Sequence, residues 1–201
     1  MIAKSFELAQ QIFSQHNGIL RTGQAKKLGV EEKTLKRMLD AGLLIRETRG
    51  VYRLAELDPL SNPDLINISI RVPNSVVFLI SALAFHSLTT QIPHFVYIAL
   101  PQGVKDPIIA YPPLNIYHLS LKIYSAGMEE HILDGVKIRV YSREKTIADC
   151  FKFRNKIGQD IAIEALKDYL RQPKPDVPKL LEYARLDRVQ KIIQPYLQAA
   201  L

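Results

Sequence analysis

Five histidines, one cysteine, a scatter of carboxylates and an excess of lysine and arginine are the side chains here that could do chemistry, and their spacing limits what they can build. His16, His86, His94, His118 and His131 are never three or four residues apart, the interval that converges two imidazoles on one metal from a single helix. They read as surface or interface side chains, and no metal is expected. Cys150 lies with Ile147 and Phe151 on the apolar face of an expected helix, where a small thiol is core. A single cysteine forms no internal disulfide and suits a reducing cytosol. Asp134, Glu144 and Asp149 with Lys145 are the group from which a metal-dependent nuclease could be assembled, but no two of these acids share the strand 137–141, and each suits a solvated position. Gly23, Gly29 and Gly42 are too dispersed for a phosphate-binding loop, and Arg143-Glu144-Lys145-Thr146 lacks the glycines that would place its Lys-Thr in one. No catalytic residue and no cofactor is expected.

The positive charge is the better lead. The chain carries a net +7 with a pI near 9.4, which attracts polyanions. Between Arg21 and Arg53 nine basic residues face four acidic ones, so much of the excess sits on a short module. Its pattern is helical first: Phe6, Ala9, Ile12 and Phe13 give residues 3–15 one apolar face, ending before Asn17-Gly18. Thr22 is placed to cap a short helix carrying Lys26 and Lys27, which Gly29 ends. Residues 31–41 form a third helix, with Leu35, Met38 and Leu39 inward and Lys33, Lys36, Arg37 and Asp40 on the opposite face. After Gly42, the β-type runs 43–46 and 51–54 flank Glu47-Thr48-Arg49-Gly50 as a basic hairpin. Helix, turn, basic helix and basic hairpin in this order are the pattern of a winged helix-turn-helix. The expected DNA contacts are Thr22, Lys26, Lys33, Thr34, Lys36 and Arg37 from the helices, and Arg46, Arg49 and Arg53 from the wing, with the wing arginines on phosphate or a minor groove.

The turn-rich string Asp58-Pro59-Leu60-Ser61-Asn62-Pro63-Asp64 marks a boundary. This gives a DNA-binding domain over 1–56, a linker over 57–64 and a second domain over 65–201. Asn62-Pro63 starts a helix to about Val72. Short strands are expected at 76–80, 95–100, 108–111 and 116–120, with a helix over 81–88. Residues 137–141 alternate, with Val136, Ile138 and Val140 on one face. From Arg143 onward the period is helical, over 143–154, 161–170 and 178–201. The fold class is therefore α+β, a winged helix-turn-helix followed by a mixed domain with its helices at the C-terminal end. Lys137, Arg139, Lys145, Lys152 and Lys156 form a possible second basic surface on the strand and helix there, a face that could extend a DNA contact or take an acidic partner. The longest apolar run, 76–85, is too short to span a bilayer, so a cytoplasmic protein without membrane contact is expected.

Two stretches of the second domain, Ser81-Ala82-Leu83-Ala84-Phe85-His86-Ser87-Leu88-Thr89-Thr90-Gln91-Ile92-Pro93 and Ser142-Arg143-Glu144-Lys145-Thr146-Ile147-Ala148-Asp149-Cys150-Phe151-Lys152-Phe153-Arg154-Asn155-Lys156-Ile157-Gly158, resemble signatures of the AbiEi-type antitoxin family of type IV toxin–antitoxin systems. Ser87 stands where many members are expected to have glycine. The resemblance implies an N-terminal part that represses its own operon at inverted repeats and a C-terminal part that opposes a nucleotidyltransferase-like toxin, without necessarily holding it in a stable complex. Two other functions stay open. One is a stand-alone transcription factor whose second domain senses a ligand or partner, and the other is the metal-dependent nuclease. The coding sequence next door separates the antitoxin from the stand-alone factor.

Overall fold

The computed structural model describes residues 2–200, so Met1 and Leu201, the outer ends of the expected first and last domains, lie outside it. The chain divides into two compact units, residues 1–73 with 132–137, and residues 74–131 with 138–201. The segment 57–64, expected as a linker, lies inside the first unit together with the helix that follows. The cause is local. Leu60 is buried, and Asn62 caps a helix α4 (Pro63–Arg71), its Oδ1 accepting from the Leu65 amide at 3.2 Å with Pro63 in the first turn. Leu65, Ile66 and Ile68 are buried, so the proline-rich string is the entry to a packed helix rather than a spacer.

Ahead of α4, the first unit runs α1 (Ile2–Gln15), β1 (Ile19–Arg21), α2 (Thr22–Lys27), α3 (Glu32–Asp40), β2 (Leu44–Thr48) and β3 (Val51–Leu54). Glycine ends two of its helices as read from the sequence. Gly29 and Gly42 take φ 95° and 71°, and behind them the Val30 amide donates to the Ala25 carbonyl and the Leu43 amide to the Met38 carbonyl, both at 2.9 Å. These are six-to-one closures that only a left-handed residue allows. The unexpected element is β1. It is three residues long and turns the expected hairpin into a three-stranded sheet of order β1-β3-β2, with Arg53 opposite both Ile19 and Ile45. Ala9, Phe13, Leu20, Ala25, Leu35, Met38, Leu44 and Leu54 close the core.

The remaining elements are β4 (Val76–Val77), α5 (Leu79–Phe85), β5 (Val96–Pro101), β6 (Leu114–Leu119), α6 (Leu121–Ser125), β7 (Met128–Leu133), β8 (Val136–Tyr141), α7 (Arg143–Lys152), α8 (Arg154–Ile157), α9 (Gln159–Arg171), α10 (Val177–Leu186) and α11 (Gln190–Ala200). They build a five-stranded mixed sheet of order β6-β5-β4-β8-β7, with β4 antiparallel to β5 and parallel to β8. The fold is mixed α+β with helices at its C-terminal end. Three expectations are corrected. The run 76–80 is strand only over its first two residues. Residues 108–111 form no strand, and Ile108 is wholly exposed. β7 is additional, joined to β8 through Asp134 and Gly135 at φ 46° and 77°, the two left-handed positions of a tight hairpin turn. Ser87 holds a left-handed position too, at φ 56°. The Leu88 amide behind it donates to the Leu83 carbonyl at 2.8 Å, and Leu88 is buried. A glycine-type helix end therefore closes around a serine. Among the described residues no helix is long and apolar enough to cross a membrane.

Candidate nucleic-acid interface

The third helix, α3, is amphipathic by a simple division of its residues. Leu35 and Met38 are buried against α1, while Lys33, Lys36, Arg37 and Asp40 are exposed. Ahead of it, α2 begins at Thr22, with Arg21 at the cap position and the Gln24 side chain accepting from the Arg21 amide at 3.2 Å. Thr22 is thus the first helical residue rather than the cap. Its amide donates to the Gly50 carbonyl at 2.9 Å and its hydroxyl to the same oxygen at 3.4 Å. These bonds tie the start of α2 to the tip of the β2–β3 hairpin, so helix and hairpin are fixed to one another within the unit.

Arg46 and Arg49 are exposed, Arg49 at the hairpin tip beside Gly50. With Lys33, Lys36 and Arg37 they form a set of five cations, none of which makes an ion pair with a described residue. Exposed basic side chains without counter-charges keep their full attraction for an external polyanion. Lys26 differs in having Glu32 at 2.9 Å. Both groups are largely exposed, a pair worth little that solvent or a phosphate readily replaces, although the bond is enough to hold the Glu32 carboxyl below its usual range.

Two expected DNA contacts are overturned. Arg53 is buried at 5% exposure. Its Nε is paired with Glu47 Oε1 and its guanidinium also donates to the Leu54 carbonyl at 3.2 Å and to the Leu57 carbonyl. As a residue of the central strand it joins the hairpin to the chain beyond it and is not available to DNA. Thr34 is buried at 9% and shares the inward side of α3 with Leu35 and Met38, at positions i, i+1 and i+4.

The possible second basic surface is also corrected. Lys137 is exposed, Arg139 faces Glu130 at 3.4 Å, and Lys156 lies over the Tyr117 ring at 5.4 Å. Lys145, however, is fully buried. Its ammonium donates to Asp149 Oδ1 and, at 3.1 Å, to Asp187 Oδ2, while Lys152 reaches Asp187 Oδ1 at 3.3 Å. Residues 144–151 of α7 are buried in succession because α5, α9, α10 and α11 all pack on it. The helix also stops at Lys152, with Phe153 between it and α8, so Lys156 does not extend its face. Two acids of the nuclease alternative are engaged in packing as well, Glu144 accepting from Tyr169 Oη at 2.7 Å and Asp149 from Lys145, while the exposed Asp134 accepts from the Ser61 amide at 2.7 Å. Cys150 is fully buried, and burial pushes its thiol well up. Burial lowers His86, whose Nε2 lies 2.7 Å from the Tyr141 carbonyl. Among the described residues no three His, Cys, Asp or Glu side chains are grouped to hold a metal.

Residues 7–55 match the family model described as a transcriptional regulator, AbiEi antitoxin. The match runs from within α1 to just past β3 and leaves out the two stretches at 81–93 and 142–158. A crystal structure of the RV2827C protein from Mycobacterium tuberculosis is similar in fold, with a TM-score of 0.54 at 11% identity over 96% of this chain and 81% of that one. No curated protein matches the sequence.

Proposed function

We propose, taking the regulator match of the first unit as premise, that residues 1–56 are a winged helix-turn-helix that binds double-stranded DNA, and that the chain is an autorepressor and antitoxin of a type IV toxin–antitoxin system. The observation that carries this reading is the set of exposed cations without ion-pair partners on α3 and the β2–β3 hairpin, on a scaffold in which Thr22 and Gly50 tie the second helix to the hairpin. α3 enters the major groove with Lys36 and Arg37 toward base edges, where an arginine or lysine pairs with guanine O6 and N7. Lys33, Arg46 and Arg49 sit on phosphate, fixing register without reading sequence. Lys26 joins them by exchanging Glu32 for a phosphate. The operator is a pair of inverted repeats, the second unit carries the antitoxin function against a nucleotidyltransferase-like toxin without requiring a stable complex, and the protein acts in the cytoplasm.

DNase I footprinting of the full chain on the region upstream of its own gene tests this reading. Protection of two inverted half-sites, together with repression of a reporter placed behind them, is expected. Equal affinity for that region and for unrelated DNA would refute the repressor reading. Co-expression with the neighbouring gene product tests the other half. Growth rescue by the full chain is expected, and footprinting without rescue would leave a stand-alone regulator.

A further inference from the structure

We infer that the second unit holds a binding site for a small organic phosphate, in the cleft between α6 and the turn from α10 to α11. The cleft has a volume of about 520 Å³, within the range of small-molecule sites. Four cations line it, Lys122, Lys152, Arg185 and Arg188, with Asp187 and Ser120. The one carboxylate offsets one of them, Lys152. Asp187 is buried at 4% exposure, and its two oxygens already accept from Lys145 at 3.1 Å and Lys152 at 3.3 Å. Lys145 and Lys152 together offset Asp149 and Asp187, which leaves Lys122, Arg185 and Arg188, none of which makes an ion pair with any described residue.

The site is also pre-shaped. Lys145, wholly buried, anchors Asp187, and Asp187 in turn anchors the half-buried Lys152 at the lip, so one of the four cations is already ordered before a ligand arrives and less freedom is lost on binding. Arg188 follows the end of α10 at φ 61°, a left-handed position that glycine would occupy without strain. It carries the longest basic side chain instead. The Ser120 hydroxyl adds a neutral donor. Ile123 and Leu186 lie among the cations, an apolar wall that suits the organic part of a phosphate ester rather than a bare inorganic ion. The chemistry is that of a tetrahedral dianion bridged by several cationic donors, each bond stronger than a neutral one. This inference is independent of the DNA reading, since every residue it uses belongs to the second unit.

Isothermal titration calorimetry of the full chain tests it, with AMP, inorganic phosphate and a short single-stranded oligonucleotide as probes in chloride buffer of constant ionic strength. Saturable one-to-one binding of AMP is expected, tighter than that of inorganic phosphate. Lys122→Gln and Arg188→Gly should each weaken it by about tenfold, the loss of one charged hydrogen bond, while Lys167→Gln, at an exposed position outside the cleft, should leave it unchanged. Arg188→Gly relaxes the backbone, so lost binding in that variant is not lost folding. Absence of saturable AMP binding, or an equal loss in Lys167→Gln, would overturn the site. Binding of the oligonucleotide alone, lost in both cleft variants, would assign the cleft to a nucleic-acid backbone and overturn the small ligand.

Discussion

Lys145→Met separates a folding role from a binding role for the charges on α7. The substitution keeps the unbranched side chain as far as Cε and removes the ammonium that Asp149 and Asp187 share. All three side chains are fully buried, and Asp149 Oδ2 has no hydrogen-bond partner among the described atoms, so the variant leaves two carboxylates facing each other with only the half-exposed Lys152 between them and water. Breaking a buried pair by removing one partner costs about 3–5 kcal/mol, a large part of the roughly 5–15 kcal/mol that holds a typical domain folded. The pH dependence has a definite sign. Burial pushes Asp149 up to about 7, so between the unfolded carboxylate value of about 3.9 and 7 the folded state holds more protons, and stability from this group falls as pH rises through that window. Without Lys145 the carboxyl is pushed higher still. The variant should therefore lie closest to the natural protein near the acid end and fall furthest behind it above neutrality. Urea unfolding followed by far-UV circular dichroism across this pH range measures the difference, the chain having no tryptophan. Adding Asp149→Leu and Asp187→Leu should recover much of the loss, because an all-apolar replacement of a buried ion cluster is close to neutral. A loss below about 1 kcal/mol in Lys145→Met, the size of an ordinary exposed pair, would refute the buried network.

The hairpin arginines should divide in the same way. Arg49→Ala should lower affinity for all DNA sequences alike and flatten the log–log salt dependence of binding by about 0.9, whereas Arg53→Ala should cost about 3 kcal/mol of stability by stranding Glu47; salt-titrated mobility shifts and denaturation of both variants distinguish the two. Ser87→Gly should stabilise the protein by about 1 kcal/mol, the strain of a non-glycine residue at a left-handed position, read as a rise in thermal midpoint. An unchanged or lowered midpoint would show that the serine is favoured at that helix end.

Much of the first unit is legible in the sequence because its punctuation is chemical. Gly29 and Gly42 end helices where only a left-handed residue closes the turn, and the apolar positions of α3 recur at helical spacing. The role of Arg53 is not legible, because it depends on a strand of three residues whose pairing makes β3 central and its side chain interior. Lys145 and Asp149 are visible at i, i+4, but that spacing is the same on a solvated helix and on one enclosed by four neighbours; only the packing of α5, α9, α10 and α11 decides. β7 could be found from Asp134-Gly135, a hairpin signal between two β-type runs. The run 108–111 misleads because a short apolar stretch carries no record of whether a partner strand exists. The charged cleft is assembled from α6, α7 and the end of α10, segments separated by tens of residues, and no local pattern announces it.

The most direct test of DNA recognition by α3 is the operator affinity of Lys36→Ala/Arg37→Ala in the full chain, measured by mobility shift at fixed salt beside its urea-unfolding curve. Both side chains are exposed and make no ion pair with a described residue, so the unfolding free energy should stay within about 0.5 kcal/mol of the natural protein. Operator binding should weaken by about 1–3 kcal/mol for each base edge no longer read, with discrimination between operator and unrelated DNA falling with it. Unchanged operator affinity in this folded variant would contradict the account.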